Sequence, residues 1–103
     1  MAITNTRITS TGTTTVFTAS GQQAITVLYL TNTSGSTITL DVYAVKNGST
    51  PTTSNCIYYQ LQLTANDTYV VSTEKLILDS GDYMVVQASA ANSITVTVSS
   101  VAV

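Results

Sequence analysis

Short turn sequences divide this chain at nearly regular intervals, and their spacing limits the fold more than any other feature. The turns are Ser-Gly at 20–21, Asn-Thr-Ser-Gly-Ser at 32–36, Lys-Asn-Gly-Ser at 46–49 and Asp-Ser-Gly-Asp at 79–82. Glycine, asparagine and aspartate readily adopt the backbone conformations that tight turns require. The segments between these turns have the length of β-strands.

Within those segments the apolar residues recur at every second position, which is the period of a strand with one buried face. The pattern is clearest in residues 37–45 and 56–64, and it recurs in residues 83–88 and 94–99. Assigning the apolar phase of each strand to the interior predicts a core made of Ile38, Leu40, Val42, Ile57, Leu61, Leu63, Val86, Ile94, Val96 and Val98.

The strands predict an antiparallel two-sheet sandwich, either immunoglobulin-like or a jelly roll, with seven or eight strands and no helix. Residues 24–31 are apolar on both faces, so this strand should be central. Residues 68–71 and 75–78 form one kinked strand or two short ones. Residues 83–88 and 94–99 should form a hairpin. The whole chain, 1–103, is expected to be one domain, with residues 1–12 as an N-terminal arm.

Composition argues against several classes of function. Only 8% of the residues are charged and the net charge is -2, so no basic surface is available to attract nucleic acid. The N-terminal sequence does not have the pattern of a signal peptide, and no apolar run is long enough to span a bilayer. We therefore expect neither a nucleic-acid partner nor a membrane partner.

The chain has no histidine, which removes the commonest general base and metal ligand, so we expect no enzyme activity and no cofactor. The candidate acids are Asp41, Asp67, Glu74, Asp79 and Asp82. The last two bracket a tight turn, where their carboxylates are expected to accept hydrogen bonds from backbone amides; a calcium site there is the weaker alternative. Cys56 has no cysteine partner and is expected to be a small buried or strand-edge residue.

Two regions are candidate interfaces. Tyr58, Gln60 and Gln62 share the predicted polar face of their strand, and tyrosine is enriched at subunit interfaces. The alternative is a carbohydrate-binding or adhesin-like module that uses these three residues and the loop at 47–55. Val101 and Val103 extend the last strand and are expected to pack against a neighbour. Sheet edges in this chain have few charges to protect them, which favours a homo-oligomer, for example a trimer.

Residues 61–101 resemble the C-terminal part of small virion structural proteins of tailed bacteriophages. The matching residues are Leu76, Leu78, Gly81, Asp82, Tyr83, Val85, Ala88, Ser89, Ala90, Asn92, Val96, Val98 and Ser99. The resemblance implies a subunit of a phage virion, with capsid decoration (a cement protein) ranked first, then the neck or collar, then the tail, baseplate or fibre. Its implied partners are copies of itself and other virion proteins such as the major capsid protein.

Overall fold

The computed structural model of the chain describes residues 2–72 and 76–103, and these residues form nine β-strands. Within this part of the chain, no helix has the length and apolarity to cross a membrane. The strands are β1 (Ala2–Ile8), β2 (Thr14–Thr18), β3 (Gln23–Asn32), β4 (Ile38–Val45), β5 (Cys56–Leu63), β6 (Thr68–Val71), β7 (Leu76–Leu78), β8 (Tyr83–Ala88) and β9 (Ile94–Ala102).

The strands form two antiparallel sheets, which confirms the predicted all-β sandwich. Sheet I has the order β1-β9-β3-β6, and β7 pairs with β3 beyond the end of β6. Sheet II has the order β2-β8-β4-β5. As predicted, β3 is an inner strand, since it pairs with β9 on one side and with β6 and β7 on the other.

The pairing is nested along the chain, and this nesting identifies the topology. The innermost pair is β4 with β5, followed outwards by β3 with β6 and β7, by β2 with β8, and by β1 with β9. The chain is therefore one long antiparallel ribbon, folded at residues 46–55 and wrapped so that successive pairs alternate between the two sheets. When β6 and β7 are taken as one interrupted strand, this is an eight-stranded jelly roll.

The core lies between the sheets and follows the predicted phase closely. Eight of the ten predicted core side chains are buried: Ile38, Leu40, Val42, Leu63, Val86, Ile94, Val96 and Val98. Leu61 is half-buried and packs against them. The prediction is wrong for Ile57, which is 40% exposed. Met84 and Leu30 contribute two further fully buried side chains.

The predicted hairpin between β8 and β9 is wrong, because these consecutive strands lie in different sheets. β8 pairs with β2 and β4 in sheet II, whereas β9 pairs with β1 and β3 in sheet I. Residues 89–93 cross from one sheet to the other, and Asn92 takes a left-handed conformation there, with φ 58°. In a nested ribbon, β8 and β9 each pair with a strand from the first half of the chain.

The segment expected to be an N-terminal arm contains a strand. Residues 2–8 pair along their whole length with β9, from Ala2 opposite Ser100 to Ile8 opposite Ile94. The Ile8 side chain is fully buried in the core. This part of the chain is thus an edge strand of sheet I, and its high content of Thr and Asn concealed the alternation from sequence inspection.

Candidate assembly surface

The outer face of sheet I carries exposed apolar side chains. Four are exposed at 69, 61, 48 and 40%, respectively: Ile3, Ile77, Val70 and Tyr29. Strand pairing aligns these residues on the face, since Tyr29 lies opposite Val70 and both Ile77 and Val101 lie opposite Ala24. We call this surface the apolar patch, and its members are Ile3, Val27, Tyr29, Val70, Ile77 and Val101.

A β-bulge in β3 explains why this strand is apolar on both faces. The pairing with β9 shifts between Ile25 and Val27, which leaves Thr26 as the extra residue. Thr26 Oγ1 donates to the carbonyl and to the hydroxyl oxygen of Ser99, at 3.1 and 3.0 Å. Because of the bulge, both Ile25 and Leu28 are buried in the core, while Val27 belongs to the outer face.

The other end of the same face is polar. Arg7 Nη1 donates to Thr95 Oγ1 at 3.0 Å and to Thr33 Oγ1 at 2.7 Å, and Thr68 Oγ1 donates to Thr31 Oγ1 at 3.3 Å. Arg7 lies four residues along β1 from Ile3, or about 13 Å at the rise of an extended strand. Among the described residues, the patch itself contains no charged side chain.

The sheet edges differ in how well they are protected against pairing with a strand of another chain. Arg7 is the only charged residue among the described residues of the edge strands β1, β2, β5, β6 and β7. However, the ladders of β2 and β5 are interrupted by register shifts, and such irregularities discourage the addition of further strands. The ladder of β1 is regular over seven residues. The outer edge of β1, near whose start Ile3 lies, is therefore more open to pairing with another chain than the edges of β2 and β5.

The predicted platform of Tyr58, Gln60 and Gln62 is not assembled, because β5 changes phase at a bulge. Leu40 pairs with Leu61 and Val42 with Tyr58, so that Asp41 alone faces two residues of β5. Gln60 adopts a left-handed conformation there, with φ 55°, and its backbone N–H donates to Asp41 Oδ1 at 2.7 Å.

As a result, Tyr58 lies on the inner side of β5. It is half-buried, packs against the core and makes an edge-to-face contact with Tyr69, with ring centroids 5.6 Å apart. Gln60 and Gln62 are exposed. Tyr59 is 62% exposed, although simple alternation would place it on the same face as Leu61 and Leu63.

The last residues pair with their own chain. Val101 lies opposite Ala24, is half-buried and belongs to the apolar patch. The backbone N–H of Val103 donates to the Gln22 carbonyl at 3.1 Å, while its side chain is 61% exposed. The backbone of this segment completes β9, so only its side chains are available to a neighbour.

An apolar cleft of about 390 Å³ lies between the two sheets, at the side where β5 faces β6 and β7. Ile57, which lies at a register shift of β5 and is 40% exposed, is one of the residues that line it. Its lining combines core and edge side chains: Ile25, Leu28, Ile57, Tyr58, Val71, Leu76 and Met84.

Hydrogen bonding of the described carboxylates supports structural roles for them. Asp82 Oδ2 accepts from the backbone N–H of Asp79 at 3.0 Å, and Oδ1 accepts from that of Asn47 at 2.9 Å. These two bonds lower the pKa of Asp82. Asp79 differs from the prediction, since its carboxylate accepts from the side chain of Gln22 at 3.0 Å. Among the described residues, no group of histidine, cysteine or carboxylate side chains could hold a metal ion; Glu74 lies outside those residues.

The loop at 46–55 is organised by its own side chains and by the turn at 79–82. Asn55 Nδ2 donates to the Thr50 carbonyl at 2.9 Å, and the Tyr83 hydroxyl donates to the Ser49 carbonyl. Gly81 has φ 90°, and a Cβ atom added to it would lie 2.7 Å from Asn47 Cγ. The turn glycine therefore allows a close approach of the loop, which fits a structural connection.

Cys56, at the start of edge strand β5, is half-buried. Burial raises the pKa of its thiol, and the carboxylate of Asp41 raises it further. A raised pKa keeps the side chain as a thiol at neutral pH, which is the less reactive form.

Comparisons with family models, with curated proteins and with solved structures found no match to this chain. Sequence inspection missed Ile3, Val70 and Ile77 as surface residues. The signal that could have revealed them is an apolar residue in the outward phase of its strand.

Proposed function

We propose that this chain is a structural subunit of a tailed-phage virion and that it acts by assembling with copies of itself and with other virion proteins. Capsid decoration, as a cement protein, is the role we rank first, followed by the neck or collar and then the tail. The observation that carries the proposal is the apolar patch. Contiguous apolar surface of this kind on a small domain is a common mark of a protein interface.

The size of the patch indicates how it would work. Its four most exposed side chains leave on the order of 400 Å² of surface open, taking about 150–200 Å² for a full side chain of this size. Two patches packed face to face would bury about 800 Å², which is less than the roughly 1,200–2,000 Å² of a stable specific interface. A patch contact alone would therefore be weak, and stable attachment would require several contacts at once, as in a lattice.

Charge borders the patch but does not interrupt it. The described members of the patch are neutral; Arg7 lies about 13 Å from Ile3 along β1, and Asp79 lies two residues beyond Ile77, or about 7 Å at the same rise. Packing of two copies would therefore centre on Ile3, Tyr29 and Val70 rather than on the Ile77 end. The regular edge of β1 beside Ile3 offers further backbone groups to the same neighbour.

The fold and the resemblance support the virion setting. Jelly rolls are used repeatedly in viral capsid domains, although fold alone does not determine function. The resemblance of residues 61–101 to small phage structural proteins is the more specific support. The carbohydrate platform considered from sequence loses support in its original form, because Tyr58 packs inward.

Sedimentation velocity over a range of concentrations tests the assembly step. We expect wild-type protein to self-associate as concentration rises, and a Val70→Thr/Ile77→Thr variant to remain monomeric over the same range. Threonine retains the β-branched shape that suits a strand while removing apolar surface. Tyr59→Thr is the matched control, because it removes an exposed apolar side chain from the other sheet.

Equal association of all three proteins would refute the patch as the interface. A wild-type chain that stays monomeric at every concentration and also fails to bind phage shells would refute the assembly proposal. Folding of each variant is checked beforehand by its cooperative thermal unfolding.

A further inference from the structure

A polar groove of about 230 Å³ lies on the outer face of sheet II. Its floor contains three half-buried side chains, Thr39, Asp41 and Gln87, and its rim contains exposed Thr11, Gln60 and Ser89. Asp41 and Gln87 are direct cross-strand neighbours on β4 and β8. The groove thus concentrates a carboxylate, two amides and several hydroxyls on a rigid sheet.

Gln60 is held in the groove wall at a conformational cost. Its φ of 55° is unfavourable for a residue with a Cβ, and the bond from its N–H to Asp41 Oδ1 stabilises it there. Backbone strain of this kind is concentrated at functional sites. Glycine would suit this conformation better, but it would not place an amide side chain at the groove.

The hydrogen-bonding groups of the groove are only partly used within the protein. Gln87 Nε2 donates to the Thr11 carbonyl at 3.1 Å, and Asp41 Oδ1 accepts from Gln60. The Asp41 carboxylate also accepts from the Tyr43 hydroxyl; burial raises the pKa of Tyr43, and this bond raises it further. Within residues 2–72 and 76–103, no protein partner is found for the Gln60 side-chain amide or for Thr39 Oγ1. The groove therefore offers an amide that both donates and accepts, a hydroxyl, and a carboxylate whose oxygens have lone pairs beyond these bonds.

We propose that this groove binds one ring of a neutral saccharide. Vicinal hydroxyls donate to the remaining lone pairs of the Asp41 carboxylate, and charge-assisted bonds of this type are the stronger ones. The amide and the hydroxyl bond the neighbouring sugar oxygens. Tyr59, which precedes Gln60 and is 62% exposed, adds an aromatic surface next to it in the chain.

Size and charge restrict the ligand. The groove is smaller than the roughly 300–1,000 Å³ of sites for drug-sized ligands, so it suits a single six-membered ring. Among the described residues that line the groove, Asp41 is the only one with a charged side chain, so an anionic ligand is repelled. A ring also loses less conformational freedom on binding than an open polyol does, which favours cyclic sugars over glycerol.

Two-dimensional NMR of the ¹⁵N-labelled protein tests the site with defined probes: glucose, galactose, mannose, N-acetylglucosamine, glucuronate, galacturonate and glycerol. We expect at least one neutral sugar to shift the backbone resonances of Gln60 and Gln87, with a dissociation constant of about 1 mM. The corresponding uronate should bind several-fold more weakly at neutral pH. Glycerol should cause no comparable shifts.

Variants separate the site from unspecific effects. Asp41→Asn keeps an acceptor for the Gln60 N–H but removes the charge, so neutral sugars should bind at least tenfold more weakly and discrimination against uronates should disappear. Gln60→Gly should also lose at least tenfold in affinity while remaining folded. Gln62→Ala, which changes an exposed side chain of the same strand that does not line the groove, should bind like wild type.

The proposal is overturned if no neutral sugar in the panel shifts these resonances. It is equally overturned if glycerol produces the same shifts, or if binding survives unchanged in both the Asp41→Asn and Gln60→Gly variants. These outcomes do not depend on self-association, so the site and the assembly proposal stand or fall separately.

Discussion

Replacing Gln60 by glycine should stabilise the protein, although this substitution in a strand usually does the opposite. A left-handed conformation costs a residue with a Cβ about 1–2 kcal/mol. Glycine removes that cost but increases the freedom of the unfolded chain by about 0.4–1 kcal/mol. The bond from the backbone N–H to Asp41 Oδ1 does not involve the replaced side chain. The net expectation is a gain of about 0.5–1 kcal/mol in the free energy of unfolding.

Gln62→Gly provides the matched comparison. Gln62 is also exposed on β5 but pairs regularly with Thr39, so glycine should cost about 0.5–1 kcal/mol there. For a domain of this size, each kcal/mol changes the melting temperature by about 4–8 °C. Calorimetry should therefore show Gln60→Gly melting several degrees above wild type and Gln62→Gly several degrees below it. Equal destabilisation by both variants would refute the bulge at Gln60.

Three further predictions concern the core and the turns. Val96→Asp should abolish folding, because an unpaired charge in the centre of so small a core costs most of the total stability of roughly 5–15 kcal/mol. A variant that still melts cooperatively would contradict the strand register. Ser100→Ala should raise the free energy of unfolding, measured by urea titration, by about 1 kcal/mol, because the buried Ser100 Oγ has no hydrogen-bond partner within the described chain. A loss of stability would show that this hydroxyl has a partner. Because the pKa of Asp82 is lowered in the folded protein, its contribution to stability is present above the unfolded-state pKa and is lost as pH falls through the folded-state pKa. Asp82→Ala should therefore make the free energy of unfolding less dependent on pH on the acid side. An unchanged pH dependence would contradict the role of the bonds that Asp82 accepts from Asn47 and Asp79.

Sequence patterning predicted the inner strands well because their alternation is undisturbed. In β4, β8 and β9 the predicted inward residues, such as Leu40, Val86 and Val96, are buried in the structure. Burial of one face enforces a period of two wherever the ladder is regular. The sheet class and the core of these strands could therefore be predicted from the residues alone.

Bulges explain most of what could not be predicted. A single extra residue reverses the phase of the strand up to the next irregularity, so the bulge at Gln60 places Tyr58 inward and Tyr59 outward, and a second register shift follows between Tyr58 and Cys56. No local sequence signal marks it, since Gln is not a residue that favours a left-handed conformation. For this reason Tyr58 does not share the outer face of its strand with Gln60 and Gln62, and the interface itself stays a prediction.

Long-range pairing explains the remaining differences. The segments around β8 and β9 have the pattern of a hairpin, yet each pairs with a strand from the opposite half of the chain. Alternation specifies which face of a strand is buried, but not which strand lies beside it. The nested order, and with it the position of the apolar patch, became visible only in three dimensions.

The most direct test of the assembly proposal is photochemical carbene labelling of the chain, compared between dilute free protein and the purified phage particles proposed to contain it. We expect the chain to be present in the particles and the labelling of Ile3, Val70 and Ile77 to fall strongly there, while labelling of Tyr59 falls much less. Absence of the chain from the particles would contradict its role in the virion. Equal labelling of the apolar patch in both states would contradict its role as the assembly surface.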